Sequence, residues 1–294
     1  MRVRRTACVT GSSGQLGREI CQQFRQRGWT TIGLDLVPSP FTDHVVDIRD
    51  PAVVRVIASS DVVVHTAALH APHVRACTRR DFVEVNIGGT LNLLEAAAAS
   101  GAQLVYTSTT SVYGFALMPR DRAVWVTEDL IPQPRDIYDV TKLAAEELCR
   151  DFSRAGVRVT CLRVCRYFPE PPETLAVHRL HRGADVRDVA AAHILAVERD
   201  PSGDTFELLN IAAQYPFARE DTVELLTDAP AVLRRYYLNV DTLFGRRGWQ
   251  LPASLDRVYI STRARDALKY QPRYNFSEFV SELGCAESMT STGR

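Results

Sequence analysis

The run Thr10-Gly11-Ser12-Ser13-Gly14-Gln15-Leu16-Gly17 constrains this chain more than any other stretch, because it sits between an apolar strand and an amphipathic helix. Ala7-Cys8-Val9-Thr10 reads as a buried strand, and residues 15–27 carry the helix it feeds. At such a turn the glycines have separate tasks. Gly11 permits the tight reversal, Gly14 lets the backbone approach a pyrophosphate, and Gly17 lets the helix pack close to the sheet. The helix N-terminus adds free N–H groups, so Gly11, Ser13, Gly14, Gln15, Leu16 and Gly17 form a phosphate cradle. A second strand, Thr30–Asp35, closes on an acid roughly 20 residues further on, where a carboxylate accepts from a ribose 2′-hydroxyl. A 2′-phosphate would meet that charge head on, so the pattern selects NAD over NADP.

Strands and helices then alternate. Val62–Thr66, Leu104–Ser108 and Val157–Leu162 read as further strands, with helical patterns near residues 80–100 and 138–155 between them. This order predicts an α/β fold, a doubly wound parallel Rossmann sheet with a small C-terminal substrate lobe. Residues 1–165 are read as the NAD-binding domain, with a returning element near 185–212; 166–287 form mainly the lobe, and 288–294 a flexible tail. The lobe opens on the loop Phe168-Pro169-Glu170-Pro171-Pro172 and is punctuated by Pro201, Pro216, Pro230, Pro252 and Pro272.

With 294 residues, 46% of them hydrophobic, the chain can bury such a core. Its 35 basic and 35 acidic side chains cancel, leaving no bulk attraction for nucleic acid or an anionic membrane. Seven cysteines without a C-x-x-C pair make neither a disulfide framework nor a zinc site, and no metal site is expected. The start Met1-Arg2-Val3-Arg4-Arg5 lacks an apolar signal core, and no later run is long enough to span a bilayer, so a cytoplasmic protein is expected.

Tyr138 and Lys142 stand four apart on a helical stretch and therefore share a face. An ammonium near a phenol favours the phenolate, which would lower the pKa of Tyr138 and make it a general base; the same lysine could hold the nicotinamide ribose. The fourth strand ends in Ser108-Thr109-Thr110-Ser111-Val112-Tyr113-Gly114, a set of hydroxyls at the carboxyl end of the sheet. Thr109 is the candidate to hold the substrate oxygen against Tyr138, with Thr110 and Ser111 beside it as substrate contacts or turn hydroxyls.

Taken together these motifs resemble the extended short-chain dehydrogenase/reductase family, which includes nucleotide-sugar epimerases and dehydratases. The resemblance runs through residues 5–200 and more loosely beyond. It implies that Asp47 and Ile48 of Asp47-Ile48-Arg49-Asp50 contact adenine, and that Thr66, Ala67 and Ala68, Asn86 and Thr107 line the cofactor. It takes in Leu162-Arg163, the Asp185-Val186-Arg187-Asp188-Val189-Ala190 element and the late stretch Arg263–Pro272. In relatives the helices near 80–100 and 138–155 form a four-helix interface, so a homodimer is expected, although packing within one chain could use the same residues.

Departures from the family pattern bear on the reaction. Dehydratases carry an Asp-Glu pair after the catalytic threonine, where this chain has Thr110-Ser111. Epimerases place an asparagine where this chain has Arg166, and the stretch before Asp185 is short. The loop Arg163–Pro171 resembles that of uronate dehydrogenases. Arg166, Arg179, His181 and Arg182 are candidates for a substrate phosphate or carboxylate or else solvated charge, and His70 either touches substrate or is a loop histidine. The leading expectation is an NAD-dependent sugar or nucleotide-sugar epimerase with a transient keto intermediate. The alternative is net oxidation of a free sugar, sugar acid or cyclitol; a non-enzymatic NAD-sensing scaffold is a third reading.

Overall fold

The pattern of apolar strands separated by amphipathic helices becomes a three-layer sandwich. A computed structural model describes residues 5–199 and 203–291. In chain order the elements are β1 (Thr6–Thr10), α1 (Gln15–Gln26), β2 (Thr30–Asp35), β3 (His44–Val45), α2 (Val53–Ile57), β4 (Val62–His65), α3 (Arg79–Phe82) and α4 (Gly89–Ser100). There follow β5 (Gln103–Thr109), β6 (Val124–Val126), α5 (Ile137–Arg154), β7 (Val159–Val164), α6 (Pro172–His181), α7 (Val186–Glu198) and β8 (Phe206–Ile211). The chain closes with α8 (Thr222–Thr227), α9 (Ala229–Tyr236), α10 (Val240–Gly245), β9 (Arg257–Tyr259), α11 (Thr262–Leu268) and α12 (Phe276–Ser291). Met1–Arg4, Pro201 and residues 292–294 lie outside the described residues; 288–291 of the expected tail continue α12.

All strands of the main sheet run parallel, in the order β3-β2-β1-β4-β5-β7-β8. The order reverses between β1 and β4, which opens a crevice at their carboxyl ends, where Gly11 and Thr66 lie. Two apolar clusters cover the two faces. Leu16, Ile20 and Phe24 of α1 pack with Val189, Ile194 and Val197 of α7 on one side; Leu93 of α4 and Ala145 of α5 pack with Ile57 of α2 on the other. The lobe has its own core, including Leu180, Leu225, Leu233 and Phe276. It is discontinuous in sequence: Ala123 and Trp125 join this cluster because β6 pairs with β9.

The helical pattern near 80–100 is broken by a π turn, Val83–Gly88, between α3 and α4. Gly89 follows it because Ile48 fills the space where a side chain would stand: a Cβ there would lie 2.6 Å from the Ile48 Cδ1. The short β3 and the edge strand β8 were not anticipated as strands. Among the described residues no helix is long and apolar enough to cross a membrane.

Two buried histidines tie the layers together. His65 Nδ1 lies 2.8 Å from the Thr10 hydroxyl and Nε2 3.0 Å from that of Thr90. Thr90 spends its proton on the Asn86 carbonyl at 2.6 Å, so Nε2 donates and Nδ1 accepts. In α7, His193 donates from Nδ1 to the Val189 carbonyl and accepts at Nε2 from Thr107. Burial pushes these imidazoles down to about 3 and about 4. The folded state therefore resists protonation while the unfolded chain takes up protons below about pH 6.5, so stability falls as pH drops through that value. Chemical denaturation at pH 7 and pH 5 should show a loss of about 2–4 kcal/mol for the two histidines together. Equal stability at both values would contradict the assignment of buried neutral rings.

Candidate functional site

The cofactor cradle forms because the backbone after β1 has no room for side chains. Gly11 has φ +70°, and a Cβ on it would come within 2.7 Å of the Thr66 Oγ1 and 2.8 Å of the Ala67 nitrogen. A Cβ on Gly17 would strike the Gly11 carbonyl, so α1 sits directly on the turn. Gly14 caps α1 without a side-chain hydrogen bond, and the first turn holds no acid. The helix N-terminus is thus left open to an anion. Gln15 Oε1 is buried without a partner. Leu16 lies in the core, so only its backbone can serve the cradle.

Asp35 stands at the end of β2. Its carboxylate accepts from the Ser13 N–H at 2.9 Å and the Val37 N–H at 3.0 Å, which holds it beside the cradle with lone pairs left for ribose hydroxyls. Asp47 is occupied by Arg49 at 2.9 Å, which holds its carboxyl below the usual range, and the Ile48 carbonyl accepts from Asn92. Thr66 bonds the Thr10 carbonyl at 2.7 Å, and the Ala67 N–H bonds the Thr10 hydroxyl. Ala68 follows on the same loop, half-buried. Asn86 does not face the cleft: its amide bonds Leu69 N–H and carbonyl at 2.8 and 3.0 Å and Thr141 at 3.1 Å, clamping the loop after β4 onto α5.

At the carboxyl end of β5, Thr107, Thr109, Tyr138 and Lys142 line a cleft of about 550 Å³ with His70, Thr110, Ser111 and Arg166. Asp136 starts α5 by capping the Asp139 N–H at 3.0 Å, which sets the first turn bearing Tyr138. The phenol is buried, 8% exposed, and shares the cleft wall with Thr109. Lys142 Nζ donates to the Thr107 carbonyl at 2.7 Å and lies 4.2 Å from the centroid of the Tyr106 ring. Here the structure corrects the sequence reading. Burial dominates at Tyr138 and raises its pKa, with Thr109 opposing. Burial also lowers Lys142 to about 8. His70 packs edge-on to Tyr138 at 6.3 Å and to Phe168 at 5.9 Å, and burial brings it down to about 4.

Arg179 does not reach the cleft. It is buried, bonding the Tyr274 carbonyl at 2.6 Å and Asp185 at 2.8 Å, so its charge braces α6 against the start of α7. His181 likewise turns to the Arg257 carbonyl at 2.8 Å. Arg135 bonds the Ser111 hydroxyl at 3.3 Å on the cleft wall. Sequence reasoning passed over His178, Arg257 and Tyr259 in the same cavity, because β9 and the end of α6 meet only in the folded chain. It also passed over Glu146, although an acid one turn beyond Lys142 on the buried face was a visible signal. Among the described residues no group of three or more His, Cys, Asp or Glu could hold a metal ion.

The sequence pattern described as "NAD dependent epimerase/dehydratase family" matches residues 7–180. The chain belongs to this family. It is of the extended short-chain dehydrogenase/reductase type, and its cofactor, NAD, suits the open cradle, the unpartnered Gln15 oxygen and the placement of Asp35. A similar relative is the methionine adenosyltransferase 2 subunit beta of Mus musculus, 32% identical over 155 residues, covering 49% of this chain and 42% of that protein. Another, the GDP-6-deoxy-D-mannose reductase of Pseudomonas aeruginosa, is 28% identical over 255 residues, covering 76% and 80%. The chain spans less than half the length of the first curated relatives it matches, 42% and 44%. Among solved structures, UDP-N-acetylglucosamine 4-epimerase from Bacillus cereus has TM-score 0.69 at 22% identity, covering 97% of this chain and 99% of that one, a likeness of fold.

We propose that Asp35, held beside the cradle, carries the choice between NAD and NADP. Asp35→Ala should bring the affinities for the two cofactors within about tenfold of each other in a fluorescence titration. An unchanged preference for NAD would remove Asp35 from that role.

Proposed function

We propose that this protein transfers hydride between NAD and a carbinol carbon of a sugar-like substrate, with an epimerase as the leading reading. The placement of Tyr138 and Thr109 in one cleft at the end of β5 carries the proposal, because it brings together an acid/base group and an oxygen-positioning hydroxyl. Bound NAD supplies the hydride acceptor and, when oxidised, a positive charge that favours phenolate. Thr109 orients the substrate hydroxyl, Tyr138 takes its proton, and the carbinol becomes a ketone as hydride leaves. The raised pKa of Tyr138 keeps the phenol protonated in the resting site, suited to return a proton to a ketone oxygen. Lys142, released from Thr107, would hold the nicotinamide ribose. In the epimerase the ketone presents its other face and recovers the hydride.

Net oxidation is the second reading, and one feature favours it. The connection from β7 to α7 folds the stacked Tyr167 and Phe168 rings, 4.9 Å apart, against the cleft, and a substrate confined there has little freedom to turn over. We further propose a cytoplasmic homodimer through the helices around α4 and α5, whose exposed Val83 and Val140 suit an apolar contact.

The purified chain with stoichiometric NAD and a panel of free sugars, sugar acids, cyclitols and nucleotide sugars tests the reading. An isomerised product without lasting NADH absorbance supports the epimerase, and accumulating NADH supports net oxidation. Tyr138→Phe should bind NAD normally and lose at least about a hundredfold in turnover; retained activity would exclude Tyr138 from the chemistry.

A further inference from the structure

The end of the cleft beyond Phe168 holds more positive charge than its neighbours cancel. Arg166 pairs with Glu170 and Arg257 with Asp256. Arg182 has no carboxylate partner among the described residues; its Nη2 donates to His178 Nε2 at 3.1 Å. Three guanidinium groups against two carboxylates leave one positive charge. Because Nε2 of His178 accepts, its proton stands on Nδ1, and that atom is buried without a partner. Arg182 Nε and Arg257 Nε are also buried and unpartnered. His178 itself is only 7% exposed, and all three residues line the cavity that contains Tyr138. Burial and the neighbouring arginines hold His178 down to about 4, so it is a neutral donor at physiological pH. The same region also buries an unpartnered acceptor, Asp256 Oδ1, so what is left for an acceptor group in the cleft is chiefly the half-buried Arg182 guanidinium.

We infer that this end of the cleft is a carboxylate site, and that the substrate is a free sugar acid held by its carboxylate at Arg182, His178 and Arg257 while a carbinol meets Tyr138. The inference rests on the hydride-transfer reading for the second half of that statement only. One surplus positive charge matches one carboxylate, whose two oxygens suit the fork of a guanidinium. A phosphate ester or a diphosphate would bring excess negative charge. Tyr167, Phe168 and Tyr259 supply apolar walls for the sugar ring.

The test is calorimetric titration of the NAD-loaded full chain with D-glucuronate, D-glucose, glucose 6-phosphate and UDP-glucose. Glucuronate should bind at least about tenfold more tightly than glucose, and Arg182→Leu should abolish that difference. Arg182→Lys should restore part of it. NAD affinity reports folding of each variant; should Arg182→Leu lose NAD binding, Arg182→Gln provides the reading. Tighter binding of glucose 6-phosphate or UDP-glucose than of glucuronate, or a difference that survives loss of Arg182, would overturn the inference. Preferential glucuronate binding with no turnover of any sugar would instead overturn the hydride-transfer reading and leave the carboxylate site standing. Turnover without preference for the acid does the reverse.

Discussion

The buried ion pair between Glu146 and Arg163 decides where α5 crosses the sheet, and the site depends on that crossing. Arg163 on β7 donates from Nε at 2.9 Å and Nη2 at 2.6 Å to Glu146, and both side chains are nearly inaccessible, 5% and 1% exposed. The Ser108 hydroxyl of β5 donates to the same carboxylate. One turn earlier, Lys142 reaches the Thr107 carbonyl. The helix is therefore anchored to two adjacent strands, and Tyr138, one further turn back, is delivered to Thr109. Removing one partner of such a pair leaves an uncompensated charge and costs about 3–5 kcal/mol, whereas the intact pair contributes more to geometry than to stability. The anchor extends to the sheet edge: Arg163 lies 4.9 Å from the Tyr113 ring, and the Tyr113 hydroxyl bonds Asn210 of β8 at 2.8 Å.

Around this anchor the cleft has two chemically different ends. Near β5 lies the proposed redox site, with buried hydroxyls, a protonated phenol and a lysine whose charge burial has weakened. Beyond Phe168 it is a charged end, where guanidinium groups outnumber carboxylates. His70, neutral and packed between Tyr138 and Phe168, joins the two. A substrate reaching both would be fixed by its anionic group and present one carbon to the proton-transfer pair, which is how binding far from the reacting centre becomes orientation.

What was readable in sequence follows from the range of each interaction. The glycine cradle, the acid ending β2 and the i, i+4 spacing of Tyr138 and Lys142 are local, and residues a few positions apart carry the whole signal. Asp35 needed only one strand more. Arg179 and Arg182, three apart near the end of α6, could not be told apart by residue type. Tertiary contacts with Asp185 and Tyr274 turn the first into a brace, and the absence of a carboxylate leaves the second facing the cavity. The phenol pKa was misread for a similar reason: spacing puts the ammonium on the same helix face, but the burial that raises the pKa is set by the fold. Asn86 belongs to a family motif, and only the fold shows its amide spent on Leu69 and Thr141. β8 escaped notice because two helices, α6 and α7, separate it from β7 in sequence.

The central claim is that hydride moves from a substrate carbon to NAD under control of Tyr138. It is tested most directly by single-turnover incubation of the NAD-loaded chain with glucuronate deuterated at every carbon-bound position, followed by acid quench and mass spectrometry of the nicotinamide. The account predicts one deuterium on the nicotinamide of the wild-type sample and none with Tyr138→Phe. A nicotinamide that never gains deuterium, while the sugar is chemically converted, would contradict it.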